Sequence, residues 1–384
     1  MSTPKLHVGL LYGGRSGEHE VSLASAAAVF ANLDRTRYEP VAIRIEKDGR
    51  WLLADKPPTA ASAAEVIEQS RSEASRARGG REVFLLSRPG DETLLAVDPK
   101  AADDGSHATV TGLHLDVIFP VLHGPYGEDG TIQGLLELAN VPYVGAGVLA
   151  SSVGMDKSLA KVIFRAHKLP TPDDETVLRR EWAEDRDGIS KRVAKRLGFP
   201  VFVKPANLGS SVGISKVKDA ASLGTAIDVA AEFDRKIIIE AAVPDAREIE
   251  VAVLGNDAPE ASVPGEIIPS REFYDYEAKY LDEGSRILIP ADITAEQQRT
   301  VRALAVAAYR AIDCAGMARV DFLIGRTTRQ VFINEVNTIP GFTTISMYSK
   351  LWEATGLPYP ALIDRLIALA LERHAEKQQL KTTL

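Results

Sequence analysis

Residues 317–337 constrain the fold of this chain more than any other segment, because they predict a β-hairpin that carries acidic side chains on one face. Alternation along the first strand puts Arg319 and Asp321 on the same face. It likewise puts Glu335 and Asn337 on one face of the second strand. A turn in the middle of the segment places Asp321 opposite Glu335, and in the same register Arg319 lies opposite Asn337. Two facing carboxylates repel each other unless a cation lies between them.

Two interpretations of this hairpin stay open at this point. Asp321, Glu335 and Asn337 offer only oxygen ligands, with no His or Cys nearby, and this donor set suits a hard ion such as magnesium. Burying the two acids among Val, Phe and Ile without a partner costs several kcal/mol. The alternative is a structural ion pair in which Arg319 simply neutralises the carboxylates.

Length and composition narrow the class of protein. A chain of 384 residues, 45% of them hydrophobic, predicts two or three domains with proper cores. The single cysteine, Cys314, excludes an internal disulfide, and its position in an apolar, helical run predicts a buried small side chain in a reducing compartment. The apolar stretch within residues 1–14 is too short for a secretory signal, and no apolar run is long enough to span a bilayer, so we expect a cytoplasmic protein. With a net charge of −8 and dispersed basic residues, we expect no nucleic-acid or membrane partner.

The first part of the chain predicts an α/β domain. Residues 6–12 form an apolar strand, and a glycine-rich turn at 13–17 leads from it into a helix rich in Ala and Val. A second strand at 115–122 ends in the loop 123–130, which precedes a helix at 131–138. Both loops should leave the carboxyl ends of parallel strands, where α/β sheets bind ligands.

Other segments mark the domain boundaries. Residues 55–111 are compositionally weak, and their part 59–78 predicts a surface helix or a mobile insertion to which we assign no chemistry. Small residues at 144–155, followed by a helix at 156–168, mark a boundary. Later strands are expected at 249–254, 286–289, 319–324 and 330–336, around a helix that Thr294 and Gln297 cap. We expect three domains: 1–150, 151–243 and 244–384.

Residues 199–217 predict a strand that ends in Lys204, a loop of small residues and a second strand. Gly and Ser let backbone amides approach an anion closely, so this arrangement resembles a phosphate cradle. It is not a Walker A loop, because the lysine precedes the glycines and a strand follows them. The alternative is a tight flexible hairpin, but Lys157, the acidic Glu240 at the end of a strand and the downstream acidic hairpin together favour a nucleoside triphosphate site.

Seven motifs now resemble one family, the ATP-grasp D-alanine–D-alanine ligases, in that family's order and between residues 9 and about 350. They are GGRSGEHEVS at 13–22, HGPYGEDG at 123–130, MDK at 155–157, the segment 203–213, FYDYEAKY at 273–280, RVD at 319–321 and NEVNTIPG at 334–341. The resemblance implies an α/β chain, α+β in its C-terminal half, with an ATP-grasp fold and an N-terminal Rossmann-like domain. It also implies a homodimer.

The resemblance implies a two-step ligation in which ATP phosphorylates one D-alanine and the amine of a second D-alanine then attacks the acyl phosphate. The implied ATP-binding residues are Lys157, Lys204, Ser211, Glu240, Ala241, Val243, Glu248 and Lys279. Two Mg²⁺ or Mn²⁺ ions are implied on Asp321, Glu335 and Asn337. The implied substrate and catalytic residues are Glu18 for the first ammonium group, Arg319 for the oxyanion, Ser346 and the Gly341 backbone for the second carboxylate, His123 as a proton carrier, and Ser210 with Tyr280 in a network with Glu18.

A lid at residues 266–286 is expected to exclude water and to deliver Lys279 and Tyr280. By the same resemblance Tyr280 favours the dipeptide product, since relatives that use D-lactate carry another residue at this position. The alternative function is that of a D-alanine–D-lactate ligase. A nicotinamide-dependent dehydrogenase is disfavoured, because residues 13–17 lack the G-x-G-x-x-G spacing. A non-catalytic ATP-binding regulator is disfavoured as well, because the acid, the arginine and the lid residues are all present.

Overall fold

The computed structural model describes residues 4–55, 57–59, 65–66, 80–90, 92–98, 109–268, 286–343 and 345–381. Within them the chain forms three β-sheets flanked by helices. Lys279, Tyr280 and nearly all of the expected lid lie outside the described residues, as does most of the segment 59–78.

The first sheet has seven strands in the order β6-β5-β4-β3-β2-β1-β7. These strands are β1 (Leu6–Gly13), β2 (Tyr38–Ile45), β3 (Trp51–Ala54), β4 (Gly80–Leu85), β5 (Leu94–Asp98), β6 (Thr109–Leu113) and β7 (Val117–Pro120). β1 pairs in parallel with both β2 and β7, which confirms that the loops after β1 and β7 leave the same edge of the sheet. Gly13, at the end of β1, has a φ of 92°, and a Cβ there would lie 2.3 Å from the Ile45 carbonyl oxygen. The turn into helix α1 (His19–Asn32) therefore needs glycine.

The weak segment 55–111 contains strands that the sequence analysis did not assign. β4, β5 and β6 extend the first sheet as an antiparallel meander. Val83, Leu94 and Ala96 from these strands are buried in a core with Leu11 and Ile43. The expectation of a surface helix or a mobile insertion concerned residues 59–78, which lie almost entirely outside the described residues, so it stays a prediction.

The second sheet holds the lysine strand. Its four strands, in the order β10-β9-β11-β8, are β8 (Asp174–Leu178), β9 (Val201–Pro205), β10 (Ser215–Val217) and β11 (Lys236–Ala241), and all of them pair antiparallel. The predicted strand, small-residue loop and second strand are confirmed as β9, residues 206–214 and β10. The helices that lie between β7 and β11 in the chain are α2 (Thr131–Ala139), α3 (Val148–Met155), α4 (Lys157–Ala166), α5 (Arg179–Glu184), α6 (Arg186–Arg196) and α7 (Ala220–Phe233). Of these, α3 and α4 pack in the core of the third sheet.

The third sheet contains the acidic hairpin. Its strands are β12 (Ala246–Leu254), β13 (Glu260–Ala261), β14 (Gly265–Ile268), β15 (Arg286–Leu288), β16 (Met317–Gly325) and β17 (Val331–Asn337). In the β16–β17 pair Asp321 lies opposite Glu335 and Arg319 opposite Asn337, which confirms the predicted register. A register shift between Asp321 and Phe322 separates the end of the hairpin that carries Arg319 and Asp321 from the rest of the pair. Alternation alone does not reveal this shift.

Helix α8 (Ala295–Ala311) covers the third sheet. Thr294 and Gln297 form the predicted capping box at its start. Cys314 is buried, as expected, but it lies after the end of α8, so its predicted position inside a helix was wrong.

Two C-terminal helices, α9 (Met347–Thr355) and α10 (Tyr359–Lys377), return to the first sheet, and residues of α10 share a core with α1 and β7. Among the described residues no single helix is long and apolar enough to cross a membrane. Only α9 and α10 together have the length and composition for it, and they are bent by 101°. Leu362, Ile363 and Leu366 of α10 are buried inside the protein.

Candidate active site

Two adjoining cavities lie where the three sheets meet. The first, of about 160 Å³, is called the inner cavity here. It is lined by the loops after β1 and β7, by strands of the third sheet and by the segment after β17, and its lining includes Glu18, His123, Arg319, Asn337, Gly341 and Ser346. The second, of about 140 Å³, is called the lysine cavity, and its lining includes Lys157, Lys204, Ser211, Glu240, Ala241, Val243, Glu248 and Asp321. Gly209, Ser210, Glu250 and Glu335 line both cavities. Every predicted site residue that the structure describes therefore lies in one continuous cleft.

The loop after β9 reaches across the cleft to the first sheet. Ser210 donates a hydrogen bond from Oγ to Glu18 Oε1, which joins two of the three predicted network members; the third, Tyr280, lies outside the described residues. Ser210 has a φ of 52°, a strained conformation for a residue other than glycine. A Cβ at the neighbouring Gly209 would lie 3.0 Å from Glu18 Oε2. The chain thus needs a small residue here to bring Glu18 against this loop.

His123 is buried between the first sheet and the loop after β17. Its Nδ1 lies 3.1 Å from the Ile339 carbonyl oxygen, so Nδ1 carries the proton and donates. Its Nε2 accepts a hydrogen bond from Ser25 Oγ at 3.1 Å. Burial lowers the pKa of His123, which favours the neutral ring. Because both nitrogens already have partners, this geometry favours a residue that fixes the loop, while the proton-carrier role stays a prediction.

Glu128 is a buried acid of the inner cavity to which the sequence analysis gave no role. Its Oε1 accepts a hydrogen bond of 2.9 Å from the Gly124 backbone N–H. Burial, and next the charge of Glu18, raise its pKa to about 8. The motif at 123–130 contains Glu128, but its burial depends on distant parts of the chain and is not visible in the sequence.

Arg319 is bound by two acids at the wall of the inner cavity. Its Nε and Nη2 each lie 2.7 Å from an oxygen of Asp321, and Nε also lies 3.0 Å from Glu250 Oε2. Burial lowers the pKa of Arg319, but the charges of Asp321 and Glu250 outweigh it and hold the pKa well above its ordinary value. Asn337 Nδ2 donates to Asp321 at 3.0 Å. The structure therefore contains the ion pair of the second interpretation, with Glu250 as a partner that the sequence did not reveal.

The metal interpretation has the donors but not a complete cluster. Glu335 Oε2 lies 3.4 Å from Lys157 Nζ, so this acid also faces a cation of the protein. Across the part of the chain that the structure describes, no group of three or more His, Cys, Asp or Glu side chains is arranged to hold a metal ion. Only two acids, Asp321 and Glu335, face each other on the described hairpin, and the amide of Asn337 is the third oxygen donor.

The lysine cavity is built around Glu240. Lys204 Nζ lies 2.6 Å from Glu240 Oε2 and 3.5 Å from Asn334 Oδ1. On the opposite side Lys161 Nζ lies 2.9 Å from Glu240 Oε1. Burial raises the pKa of Glu240, but the two lysines outweigh it and lower the pKa to about 2. Lys161 did not figure in the sequence analysis, although its position one helical turn after Lys157 on α4 was a usable signal.

Ser346 lies at the far end of the inner cavity, at the start of α9. Its Oγ accepts a hydrogen bond of 2.9 Å from the Thr343 backbone N–H and approaches Gly341, where a Cβ would lie 3.0 Å away. Ser346 and Gly341 are thus brought together, as the expected carboxylate site requires.

Solved structures define the class of this fold. The D-alanine-D-alanine ligase from Coxiella burnetii matches with a TM-score of 0.81 and 36% identity over 98% of this chain and 97% of its own. VanG D-Ala:D-Ser ligase from Enterococcus faecalis matches with a TM-score of 0.80 and 33% identity over 96% of this chain and 100% of its own. The three sheets and the lysine-lined cleft are those of an ATP-grasp enzyme.

Sequence relatives define the family. A model described as D-ala D-ala ligase N-terminus matches residues 7–146, and one described as D-ala D-ala ligase C-terminus matches residues 163–368. The D-alanine--D-alanine ligase of Heliobacterium modesticaldum is 49% identical over 98% of this chain and 97% of its own length. That of Thermoanaerobacter sp. strain X514 is 50% identical over 97% and 98%. The chain belongs to the D-alanine–D-alanine ligase family and is a ligase, and a nicotinamide-dependent dehydrogenase is not supported.

Proposed function

We propose that this enzyme joins two D-alanines into D-alanyl-D-alanine, with ATP converted to ADP and phosphate through a D-alanyl phosphate, as a step in peptidoglycan precursor synthesis. One observation carries the proposal: the lysine cavity and the inner cavity share the wall formed by Gly209, Ser210, Glu250 and Glu335. A phosphate held by the lysines at this wall can meet a carboxylate bound in the inner cavity.

In the first step ATP occupies the lysine cavity. Lys157 and Lys204 compensate the charge of its phosphates, and the Ser211 loop offers small residues that allow a close approach. Adenine and ribose lie against Glu240, Ala241, Val243 and Glu248, which line the same cavity.

The first D-alanine occupies the inner cavity. Glu18, held by Ser210, binds its ammonium group, and its carboxylate then faces the shared wall. Attack of this carboxylate on the terminal phosphate forms the acyl phosphate and releases ADP.

The residues present fit two magnesium or manganese ions. Asp321 and Glu335 face each other across the hairpin, both line the lysine cavity, and Asn337 adds a third oxygen donor. Asp321, Glu335 and Asn337 are the residues that would hold the ions. When bound, such ions neutralise the phosphates and stabilise the charge that spreads during phosphoryl transfer.

In the second step the amine of a second D-alanine attacks the acyl carbon of the D-alanyl phosphate. The C–N bond forms, the bond from that carbon to the phosphate oxygen breaks, and phosphate and a proton of the amine are released. Ser346 and the Gly341 backbone hold its carboxylate at the far end of the inner cavity. Arg319, fixed by Asp321 and Glu250, is a preorganised donor for the oxyanion of the tetrahedral intermediate. Lys279 and Tyr280 lie outside the described residues, and their part in completing the site rests on the family resemblance alone.

A second candidate concerns the identity of the second substrate. VanG, whose name gives it as a D-Ala:D-Ser ligase, is 33% identical over nearly the whole chain, so membership of the fold leaves that substrate open. Tyr280 favours a second D-alanine over D-lactate. We also infer the three domains 1–150, 151–243 and 244–384 and a cytoplasmic location from the sequence, and a homodimer from the family resemblance.

A product assay tests the proposal. The protein is incubated with Mg²⁺-ATP and either D-alanine alone, D-alanine with D-lactate, or D-alanine with D-serine, and both ADP release and the products are measured. We expect ADP release that depends on D-alanine, and D-alanyl-D-alanine as the main product in all three mixtures. ATP binding without stimulation by D-alanine would favour a regulator, and a mixed dipeptide or depsipeptide as main product would identify another second substrate.

A further inference from the structure

Lys161 is a buried cation beside the lysine cavity for which neither the family resemblance nor the proposed reaction supplies a role. Its side chain is 1% exposed, whereas the side chain of Lys204 is 11% exposed and lines the cavity. Both lysines contact the same carboxylate: Lys161 Nζ lies 2.9 Å from one oxygen of Glu240, and Lys204 Nζ lies 2.6 Å from the other. Glu240 thus lies between a lysine that faces the ligand and one that does not.

Lys161 and Glu240 form an ion pair that is almost completely buried on both sides. Glu240 itself is 3% exposed, so water cannot replace a lost cation. A carboxylate in this position needs at least one lysine at all times.

This requirement conflicts with phosphate binding unless a second cation is present. When ATP phosphates enter the cavity, Lys204 is attracted to them and away from Glu240. If Lys204 were the sole cation of Glu240, its departure would leave a buried, unpaired charge, and the lysine would be held back. With Lys161 in place, Glu240 keeps a partner.

We propose that Lys161 is a positioning residue that holds Glu240 ionised and in place, so that Lys204 is free to leave Glu240 and bind the phosphates of ATP. The inference rests on the proposed role of Lys204 in ATP binding. Lys161 is not among the residues that line the inner cavity or the lysine cavity. Because adenosine has no phosphate to draw Lys204 away from Glu240, the effect of Lys161 is on the binding of the phosphates and not on the binding of adenosine.

The ratio of ATP affinity to adenosine affinity distinguishes this role from a purely structural one. Titration calorimetry gives both affinities, with Mg²⁺-ATP and with adenosine, for each folded variant. In Lys161→Met we expect the ratio to fall about tenfold or more, which corresponds to about 1.4 kcal/mol, with adenosine affinity nearly unchanged. In Lys161→Arg, which keeps the charge, the ratio should stay close to that of the wild type.

The pair of variants Lys161→Met and Lys161→Met/Glu240→Gln is the decisive comparison. In the double variant Glu240 no longer needs a cation, so the ratio should return to that of Glu240→Gln alone. The double variant also removes both buried charges, and it therefore serves if Lys161→Met alone fails to fold. Lys191→Met, on the exposed face of α6, is the matched control for loss of a lysine.

Three results would overturn the inference. An unchanged ratio in folded Lys161→Met, or equal losses of ATP and adenosine affinity, would make Lys161 only structural. A ratio that stays low in the double variant would disconnect Lys161 from Glu240. If the wild-type protein does not bind ATP, the proposed function itself is refuted. This result is obtained before any variant is compared, so the two failures can be told apart.

Discussion

Replacing Glu128 with Gln should stabilise the protein at alkaline pH and leave it nearly unchanged at acid pH. Burial and the charge of Glu18 raise the pKa of Glu128 from 4.5 to about 8 in the folded protein. The folded state is therefore stabilised by the protonated form of Glu128 relative to the ionised form. The stability that Glu128 contributes is fully present below pH 4.5 and is lost as the pH rises through about 8.

The size of the effect follows from this change in pKa. The difference between 4.5 and about 8 corresponds to at most about 5 kcal/mol of unfolding free energy above pH 8. Gln stays neutral at every pH, and its carbonyl oxygen can still accept the 2.9 Å hydrogen bond from Gly124. Glu128→Gln should thus avoid this loss of unfolding free energy at alkaline pH without disturbing the loop 123–130.

Guanidinium unfolding of both proteins at pH 5, 7 and 8.5, in EDTA so that no divalent cation compensates the acids, measures the effect. We expect the advantage of Glu128→Gln to grow steadily with pH. Adding Glu18→Gln should make the pH dependence of this stability difference smaller but not remove it, because burial is the larger cause of the raised pKa of Glu128. Glu39→Gln, at an exposed position of β2, is the control. A difference that is the same at all three pH values, or a less stable variant at pH 8.5, would refute the reasoning.

Three further predictions concern other parts of the protein. Glu335→Gln should abolish D-alanine-dependent ADP release with an unchanged unfolding midpoint; near-normal turnover at any magnesium concentration would contradict the metal assignment. Tyr280→Phe should shift the products toward the D-lactate depsipeptide in a mixture of both substrates, and an unaltered product ratio would count against the specificity argument. Arg373→Leu should lower the unfolding free energy by about 2–3 kcal/mol, because the guanidinium donates to the Gly145 carbonyl at 2.5 Å and to the Tyr143 carbonyl at 3.0 Å; a change within about 0.5 kcal/mol would mean that these bonds are not needed.

The parts of the fold that follow a local period were predictable from the sequence. Alternation in the acidic hairpin gave the register of Asp321 with Glu335, because side chains of a strand repeat every second residue. The strands β4, β5 and β6 were missed because their composition is weak. Their place is decided by pairing with the edge of a sheet formed elsewhere in the chain.

The candidate site was predictable in its residue types, and the pair of Arg319 with Asp321 followed from the hairpin, but the other charge pairs did not. Lys204 and Arg319 were identified from motifs, yet their partners Glu240 and Glu250 come from other strands. The pKa of Glu128 is raised first by its burial and next by the charge of Glu18, which is more than a hundred residues away in the chain. Such pairings are tertiary properties, and no local pattern reports them.

The pairing explains why the two interpretations of the hairpin are compatible. Two of the cations expected to act on the reactants already have a carboxylate partner in the cleft: Lys157 has Glu335, and Arg319 has Asp321. A triphosphate and an oxyanion compete for these cations, and each acid then loses part of the positive charge that compensates it in a low-dielectric cleft. Divalent ions bound with the nucleotide can supply that compensation at Asp321 and Glu335. We infer that the ion pair is the ligand-free form of the site and that the proposed magnesium site is its nucleotide-bound form, so that neither excludes the other.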